Sequence, residues 1–205
     1  MKAYECKFEI AGPTAMFTRP DSGSALASYP APTYSAAKGM FEAIVRLKSS
    51  YIRPTKVEIC APIQFQKYTT NYGGPLRKSK LVASGDSYQL IATVLVNVCY
   101  RVYGVVERAA DPPDNFNDLH ACQEIFLRRL ERGQFYYTPC LGWKEFIPSY
   151  VGLFRDTTAP DTTINLKIPS MLHSVFDRPS NGKRLERAHY VQNAQIENGV
   201  MKYAQ

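Results

Sequence analysis

The sequence predicts an α+β protein in which strands and helices alternate along the chain. Residues 2–10, 55–63 and 90–106 have the alternating or β-branched composition of strands. Two further stretches, beginning near residues 33 and 115, place apolar side chains at helical spacing. With 205 residues and 45% hydrophobic content, the chain is large enough to bury a core between these elements.

The three strands differ in how they are expected to be buried. Within residues 2–10, apolar side chains stand at positions 4, 6, 8 and 10 with charged ones between them, and a Gly-Pro pair at 12–13 is expected to end this strand. Residues 55–63 alternate in the same way. Residues 90–106 have valine at positions 94, 96, 98 and 102, so we expect a long, largely buried strand there.

The first helix follows a proline-interrupted segment at residues 28–32, and either Thr33 or Ser35 can cap it. Lys38 and Glu42 form an i,i+4 pair, which stabilises a helix by roughly 0.2 to 0.5 kcal/mol. The exposed face also carries Arg46. The buried face is expected to comprise Ala37, Met40, Phe41, Ile44 and Leu47.

The second helix is expected to begin at Asn115 or Asn117 and to end at Gly133. Basic side chains crowd its last turns, where they complement the helix dipole and equally suit RNA phosphates. Both roles stay open for this cluster, which comprises Arg128, Arg129 and Arg132.

A fourth strand at residues 135–137 and 141–146 would complete the order strand, helix, strand, strand, helix, strand. This βαββαβ order is that of the ferredoxin-like, or RRM-like, fold. We therefore expect one such domain over residues 1–148. Residues 149–205 are expected to form a small antiparallel β region, with a two-residue hairpin turn at Asn198-Gly199.

Two connections are expected to have functional roles because of their length and composition. Residues 15–31 form a long loop with ordered proline and aromatic content, and loops this long in compact domains are often functional. Residues 64–88 are polar and basic, which favours a protruding β-hairpin arm.

Charge and motif content narrow the class of function. Twenty-five Lys and Arg against 18 Asp and Glu give a net charge of +7, which favours a polyanionic partner. The five cysteines and three histidines have no disulfide or metal-ligand spacing, and no hydrolase or nucleotide phosphate-loop motif is present, so we expect no cofactor and no metal. No apolar run reaches the roughly 18 residues that span a bilayer, so we expect a cytoplasmic protein without membrane contact.

Short motifs along nearly the whole chain resemble one family, the Cas5 (Cas-five) subunit of type I CRISPR Cascade, closest to its type I-C, subfamily d branch. The motifs are short but occur in the family's order. They are residues 15–20 (AMFTRP), 28–30 (SYP), 32–33 (PT), 35–39 (SAAKG), 126 (F), 128–129 (RR), 132–134 (RGQ), 139–142 (PCLG), 144–146 (KEF) and 197–199 (ENG).

The resemblance implies a prokaryotic RNA-binding subunit at one end of a guide-RNA complex. Its partners would be the crRNA 5′ handle, a Cas-seven-type backbone subunit, a Cas-eight-type large subunit and, through the complex, target DNA. Aromatic rings stack on bases and cations contact phosphates, so we expect RNA contacts from these residue types. The candidates are Phe17, Arg19, Tyr29, Lys38, Arg46, Lys67, Arg77, Lys78, Lys80, Arg128, Arg129 and Lys144.

Members of this branch often process precursor guide RNA without metal, using a tyrosine after the first helix and a Lys-His pair in the second. The corresponding positions here are Val45 and Ala121-Cys122, which lack the acid, base and cation that such cleavage needs. We therefore expect no catalytic residues and a binding subunit of the complex. The alternative is a metal-independent endoribonuclease with relocated residues such as His120, Tyr34 or Tyr51.

Overall fold

The computed structural model describes residues 3–72, 79–85, 88–109, 117–175 and 188–203. It has mixed α/β architecture with one nine-stranded sheet. Seven strands follow the order β6-β1-β5-β3-β9-β8-β7, and the other two, β2 and β4, each pair with β5. The strands are β1 (Glu5–Ala15), β2 (Leu26–Ala27), β3 (Ser50–Ile59), β4 (Phe65–Tyr72), β5 (Tyr88–Arg108), β6 (Tyr150–Gly152), β7 (Leu166–Ser174), β8 (His189–Glu197) and β9 (Val200–Lys202). The helices are α1 (Tyr34–Ile44), α2 (Ser79–Ala83) and α3 (Asp118–Arg132).

Strand β5 organises the sheet, as its β-branched sequence predicts. It runs for 21 residues and pairs antiparallel with β1, β3 and β4, and in parallel with β2. Its first part, residues 88–95, forms a hairpin with β4 in the region expected to be an arm. The strand is thus shared between the central sheet and this hairpin.

Strand β1 is longer than expected, because the Gly-Pro pair does not end it. Its pairing with β5 passes from Gly12 and Val98 to Thr14 and Val96. Pro13, which has no N–H to donate, stands at the interruption opposite Asn97. Asn97 has φ of 53°, a left-handed conformation that asparagine tolerates better than most residues. The break in the pairing therefore accommodates the proline within the strand.

The sequence signals for both main helices are confirmed. The Thr33 hydroxyl accepts a hydrogen bond of 3.2 Å from the Ala36 N–H, and the Asn117 side chain accepts one of 3.2 Å from the His120 N–H. Gly133 ends α3 with φ of 61°, in the left-handed region. Within the described ranges, every helix is too short or too polar to cross a bilayer.

The predicted fourth strand is wrong. Residues 135–137 and 141–146 form loops, and the strand at that edge of the sheet is β6, which pairs with β1. The backbone N–H groups of Tyr136 and Tyr137 donate instead to the Ala43 carbonyl near the end of α1, at 2.8 and 3.2 Å. Carbonyls at a helix C-terminus have no intrahelical donor, so this segment serves the helix and not the sheet.

The core lies between the sheet and its two main helices. The rings of Phe8 on β1, Phe41 on α1 and Phe126 on α3 are all fully buried, with centroids 5.0 to 6.2 Å apart. Each ring pair at such a distance contributes about 0.5 to 1.5 kcal/mol of stability beyond that from burial of its apolar surface. Helix α3 is also joined to α1 by a 2.8 Å hydrogen bond from Arg129 to the Ile44 carbonyl.

The C-terminal strands are antiparallel, as expected, and belong to the same sheet. Strand β9 pairs with β3, and β8 and β7 extend the sheet beyond it. Asn198 and Gly199 have φ of 49° and 75°, which confirms the predicted turn between β8 and β9. The division at residue 148 stays a prediction.

The opposite face of the central sheet is polar and partly covered by residues 153–161, a segment that we call the strap. Its anchor is Glu9, which is fully buried and accepts hydrogen bonds of 2.6 Å from both Arg155 and Thr158. Arg101 on β5 donates to the strap carbonyls of Arg155 and Thr158. Burial alone would raise the pKa of the Glu9 carboxyl, but these hydrogen bonds and the Arg155 charge outweigh it and lower that pKa.

Candidate nucleic-acid interface

The loop predicted at residues 15–31, which holds candidate RNA contacts, is folded back on itself and fixed to the sheet. Tyr29 N–H donates to the Phe17 carbonyl at 2.8 Å, and Ser28 N–H donates to the Thr93 carbonyl of β5 at 3.0 Å. The Ser28 hydroxyl also accepts from the Phe17 N–H at 2.9 Å. These bonds leave the tip of the loop, with Arg19 on it, as the part exposed to solvent.

The loop is held from its other side by residues 141–146. Met16 N–H donates to the Leu141 carbonyl at 2.9 Å, and the Trp143 indole donates to the Thr18 hydroxyl at 2.9 Å. Gly142 has φ of 93°, and a Cβ there would collide with the Met16 carbonyl. Only glycine fits this position, so the Pro-Cys-Leu-Gly segment can approach the Met16 backbone closely.

Phe17 and Tyr29 do not present their rings to solvent, which corrects their predicted role as stacking residues. Each is only 2% exposed. Phe17 packs edge-on against Tyr100 with centroids 5.9 Å apart, and the Tyr29 hydroxyl accepts a 3.1 Å hydrogen bond from Leu172 N–H. Both rings therefore stabilise the loop, because a base has no access to a buried ring.

Arg19 keeps an exposed guanidinium but is paired within its own loop. It forms two hydrogen bonds to Asp21, of 3.1 and 2.7 Å, and lies 5.7 Å from the centroid of the Tyr29 ring. The bond to Asp21 raises the pKa of Arg19 and lowers that of Asp21. An RNA phosphate would have to compete with this carboxylate for the same donors.

The predicted cations on or after the helices, together with Lys144 in the loop at residues 141–146, fall into two groups. Lys38 lies over the Tyr51 ring at 4.8 Å, and Arg129 donates to the Ile44 carbonyl, so both are partly committed to the fold. The Arg129 contact favours the structural role left open by the sequence. The remaining side chains are exposed, namely Arg46, Arg128 and Lys144.

Four of the candidate RNA contacts lie in residues 64–88, the region of the β4–β5 hairpin. The structure describes two of them. Lys67 on β4 and Lys80 on α2 are exposed. Arg77 and Lys78 lie outside the described residues. Exposed cations on and next to a pair of strands suit electrostatic contact with a nucleic-acid backbone.

The positions that the resemblance aligns with the family's processing residues are apolar, and two of the three are closed to solvent. Val45 is 4% exposed and Cys122 is 1% exposed. Burial raises the pKa of the Cys122 thiol, so this group is a poor proton acceptor at neutral pH. Ala121 has no titratable side chain. These three positions therefore provide no general acid, general base or cation.

The alternative catalytic residues have separate surroundings. Tyr51 donates a 2.7 Å hydrogen bond to Glu107, and His120 lies 3.8 Å from Glu124 and edge-on to Tyr4. Tyr34 stacks on His173, with centroids 3.9 Å apart.

His173 and His189 lie side by side, with ring centroids 4.8 Å apart, although nothing in the sequence indicates this contact. The pairing of β7 with β8 shifts between Leu172 and Ser174, and this irregularity contains His173. A bulge is not visible in a sequence without the register. In the part of the chain that is described, no cluster of three or more His, Cys, Asp or Glu residues has the geometry to hold a metal ion.

A basic mixed α/β protein with exposed cations on helices, loop and hairpin has features typical of sheet-based nucleic-acid-binding proteins. The family model for CRISPR-associated protein (Cas_Cas5), of the Cas5d type, matches residues 6–202. The chain therefore belongs to the Cas5 family, in the branch that its motifs predicted.

Two relatives are similar to the chain over most of their length. One, from Thermus thermophilus, is named CRISPR pre-crRNA endoribonuclease Cas5d and is 29% identical over 195 residues, covering 86% of this chain and 81% of the relative. The other, from Mannheimia succiniciproducens, has the same name and is 28% identical over 222 residues, covering 97% and 94%.

Two solved structures share the fold. A structure described as a CRISPR-associated protein has a TM-score of 0.69 at 20% identity, and covers 98% of this chain and 92% of its own. A functionally uncharacterized protein from Streptococcus mutans has a TM-score of 0.69 at 19% identity, with the same coverage.

Proposed function

We propose that this protein is a non-catalytic subunit of a type I CRISPR Cascade complex, which binds the 5′ handle of the crRNA and caps the Cas-seven-type backbone in antiviral defence. The observation that carries this proposal is the chemistry of the processing positions. Val45 and Cys122 are buried, and neither moves a proton at neutral pH. On the alignment that the resemblance implies, the chain would lack the family's cleavage groups while it carries exposed basic side chains.

RNA binding is supported by exposed cations on several elements. Arg19 on the loop, Arg46 after α1 and Arg128 on α3 are exposed, and Lys67 extends the set onto the hairpin. A net charge of +7 favours a polyanion in general, and separated cations of this kind contact backbone phosphates more than base edges.

Protein partners are supported by an exposed apolar area beside β6. Tyr136, Tyr137 and Ile147 are 54%, 42% and 58% exposed, and the last two line a cavity of about 480 Å³. Exposed apolar side chains next to a cavity are typical of protein contacts. We assign this surface to a Cas-seven-type or Cas-eight-type neighbour within a cytoplasmic complex that engages target DNA.

The proposal includes a ferredoxin-like scaffold over residues 1–148. Its last strand would be β6, which lies just beyond that limit. The order β6-β1-β5-β3, with α1 and α3 on one face, supports it.

The second candidate is metal-independent processing of pre-crRNA. The names of the two relatives favour it, since both are called endoribonucleases. Cleavage would then require groups other than those at the usual positions, and exposed His120 would be the first to test.

One titration separates the candidates. The purified chain is mixed with labelled repeat RNA in EDTA, and the same samples are run on a native gel for retention and a denaturing gel for cleavage. We expect retention without a cut. Cleavage of the RNA at one position in the presence of EDTA would overturn the non-catalytic role. Loss of that cleavage in His120→Ala would then place the active site at His120.

Charge reversal tests the handle assignment in the same assay. Arg19→Glu with Lys38→Glu should weaken retention, because two phosphate contacts become repulsive. The matched control changes exposed lysines outside the proposed handle contacts, Lys48→Glu with Lys167→Glu. Equal affinity of the wild type and the first double variant would sink the assignment of Arg19 and Lys38.

A further inference from the structure

The face of the central sheet opposite the helices carries a straight row of four side chains across four neighbouring strands. Lys7 on β1 is paired with Tyr103 on β5, Tyr103 with Lys56 on β3, and Lys56 with Lys202 on β9. Residues directly opposite in an antiparallel pair share a face. This row therefore points away from α1 and α3, because its neighbour Phe8 points toward them.

The row brings like charges together in a way that folding alone does not favour. Lys56 and Lys202 lie directly opposite each other, and like charges in that position destabilise a sheet. Lys7 stands two strands away from Lys56, at roughly 10 Å by ordinary strand spacing. Like charges placed opposite each other despite this cost are typical of functional surfaces.

Only part of this charge is neutralised by the chain itself. Lys56 forms a 2.6 Å ion pair with Glu58, which also accepts a 2.9 Å hydrogen bond from the Tyr103 hydroxyl. Among the described residues, neither Lys7 nor Lys202 is in an ion pair, and both are exposed. Two cations are thus left at the two ends of the row.

A cavity of about 500 Å³ coincides with the row. Lys7, Tyr103, Lys56 and Lys202 all line it, together with Glu5, the one acidic side chain among the described lining residues. The strap borders it on one side, since Phe154 packs edge-on against Tyr103 at 5.3 Å and lies under the Lys7 ammonium at 5.2 Å. The open part of this face is therefore small, concave and predominantly basic.

We propose that this row is a second nucleic-acid site, which binds the phosphodiester backbone of a single strand on the face opposite the helices. Lys7 and Lys202 contact phosphates, and Tyr103 with Lys56 forms the floor between them. The site goes beyond handle binding, because the loop, helix and hairpin cations proposed for the handle belong to other elements. A basic row across strands suits a backbone better than a small acid, since its two free cations lie apart.

The test uses the full chain and a fluorescein-labelled oligouridine that contains no repeat sequence, with anisotropy measured over a range of salt concentrations. Lys7→Gln with Lys202→Gln should lower affinity roughly 25-fold at about 0.1 M salt. The log–log salt slope should fall in magnitude by about 1.4, because each lost phosphate contact on a single strand contributes about 0.7. The control Lys48→Gln with Lys167→Gln removes the same charge from exposed positions elsewhere.

The outcomes separate this site from the handle. A drop in both affinity and salt slope for Lys7→Gln with Lys202→Gln, but not for the control, supports the second site. An unchanged slope, or an equal drop in the control, overturns it. A parallel Arg19→Gln, Lys38→Gln variant measured on repeat RNA reports on the handle alone, so either assignment fails without the other. Unchanged thermal unfolding of each variant shows that the fold is intact.

Discussion

Replacing Glu9 with glutamine should destabilise the protein through the strap. The carboxylate is fully buried, and it accepts charged or hydroxyl donors from Arg155 and Thr158 while Arg101 lies 3.6 Å away. Glutamine keeps the shape but removes the negative charge and leaves two arginines facing a neutral amide. Hydrogen bonds to charged groups contribute about 1.5 to 3 kcal/mol each, and Arg155 is partly exposed, so we expect a loss of about 2 to 3 kcal/mol.

Thermal and urea unfolding measure this change. For a chain of this size, 1 kcal/mol shifts Tm by roughly 2 to 4 °C, so Glu9→Gln should lower Tm by about 4 to 12 °C at pH 7. The pKa of Glu9 is lowered by folding, so its stabilisation is present above the ordinary glutamate pKa and disappears as pH falls through the folded value. The difference between wild type and variant should therefore shrink below about pH 4.

The control is Glu145→Gln, an exposed glutamate outside the strap. It should leave Tm within about 1 °C, since exposed charges contribute little. Equal stability of Glu9→Gln and wild type at neutral pH would refute the reasoning. So would a difference that persists undiminished at pH 3, because the unfolded-state glutamate is then mostly protonated and the stabilisation has begun to be lost.

Three further substitutions test the fold, each read by chemical unfolding. Thr33→Ala removes the cap of α1 and should cost about 1 kcal/mol, while Thr33→Ser should restore most of it. Phe126→Ala opens a cavity in the aromatic core and should cost about 3 to 5 kcal/mol; a loss below 1 kcal/mol would contradict the packing. Gly142→Ala places a Cβ against the Met16 carbonyl and should weaken repeat-RNA retention as well as stability, whereas Gly39→Ala, where a Cβ has open space, should not.

The sequence predicted helix ends and a turn correctly where residues close to them in sequence determine the backbone conformation. Thr33, Asn117 and Gly133 mark helix ends by hydrogen bonds or backbone conformations that only a few residue types provide. The turn at Asn198-Gly199 is of the same kind. These features need no knowledge of the rest of the chain.

Features that depend on distant partners were missed. Residues 141–146 have the composition of a strand, but Leu141 and Gly142 contact Met16, more than 120 positions earlier. Phe17 stands two residues before Arg19, and Tyr29 follows in the same loop, yet contacts with Tyr100 on β5 and with Leu172 on β7 leave both rings buried. Composition does not distinguish a ring that faces RNA from one that faces the core.

The candidate site shows the same division. Alternation along β1 and β3 assigns Lys7 and Lys56 to polar faces, but only the strand order places them in one row with Lys202. The irregular pairing that brings His173 beside His189 is equally invisible without the register.

The pairing of β9 with β3 has a consequence for biosynthesis. Met201 is the partner of Val57, so β3 leaves the ribosome 144 residues before the strand that covers its outer edge. At about 5 to 20 residues per second, that edge stays unpaired for on the order of 10 seconds. Its free N–H and C=O groups can pair with another chain during this interval. The nascent protein is therefore open to edge-to-edge misassembly at β3 until residues 200–202 have been added.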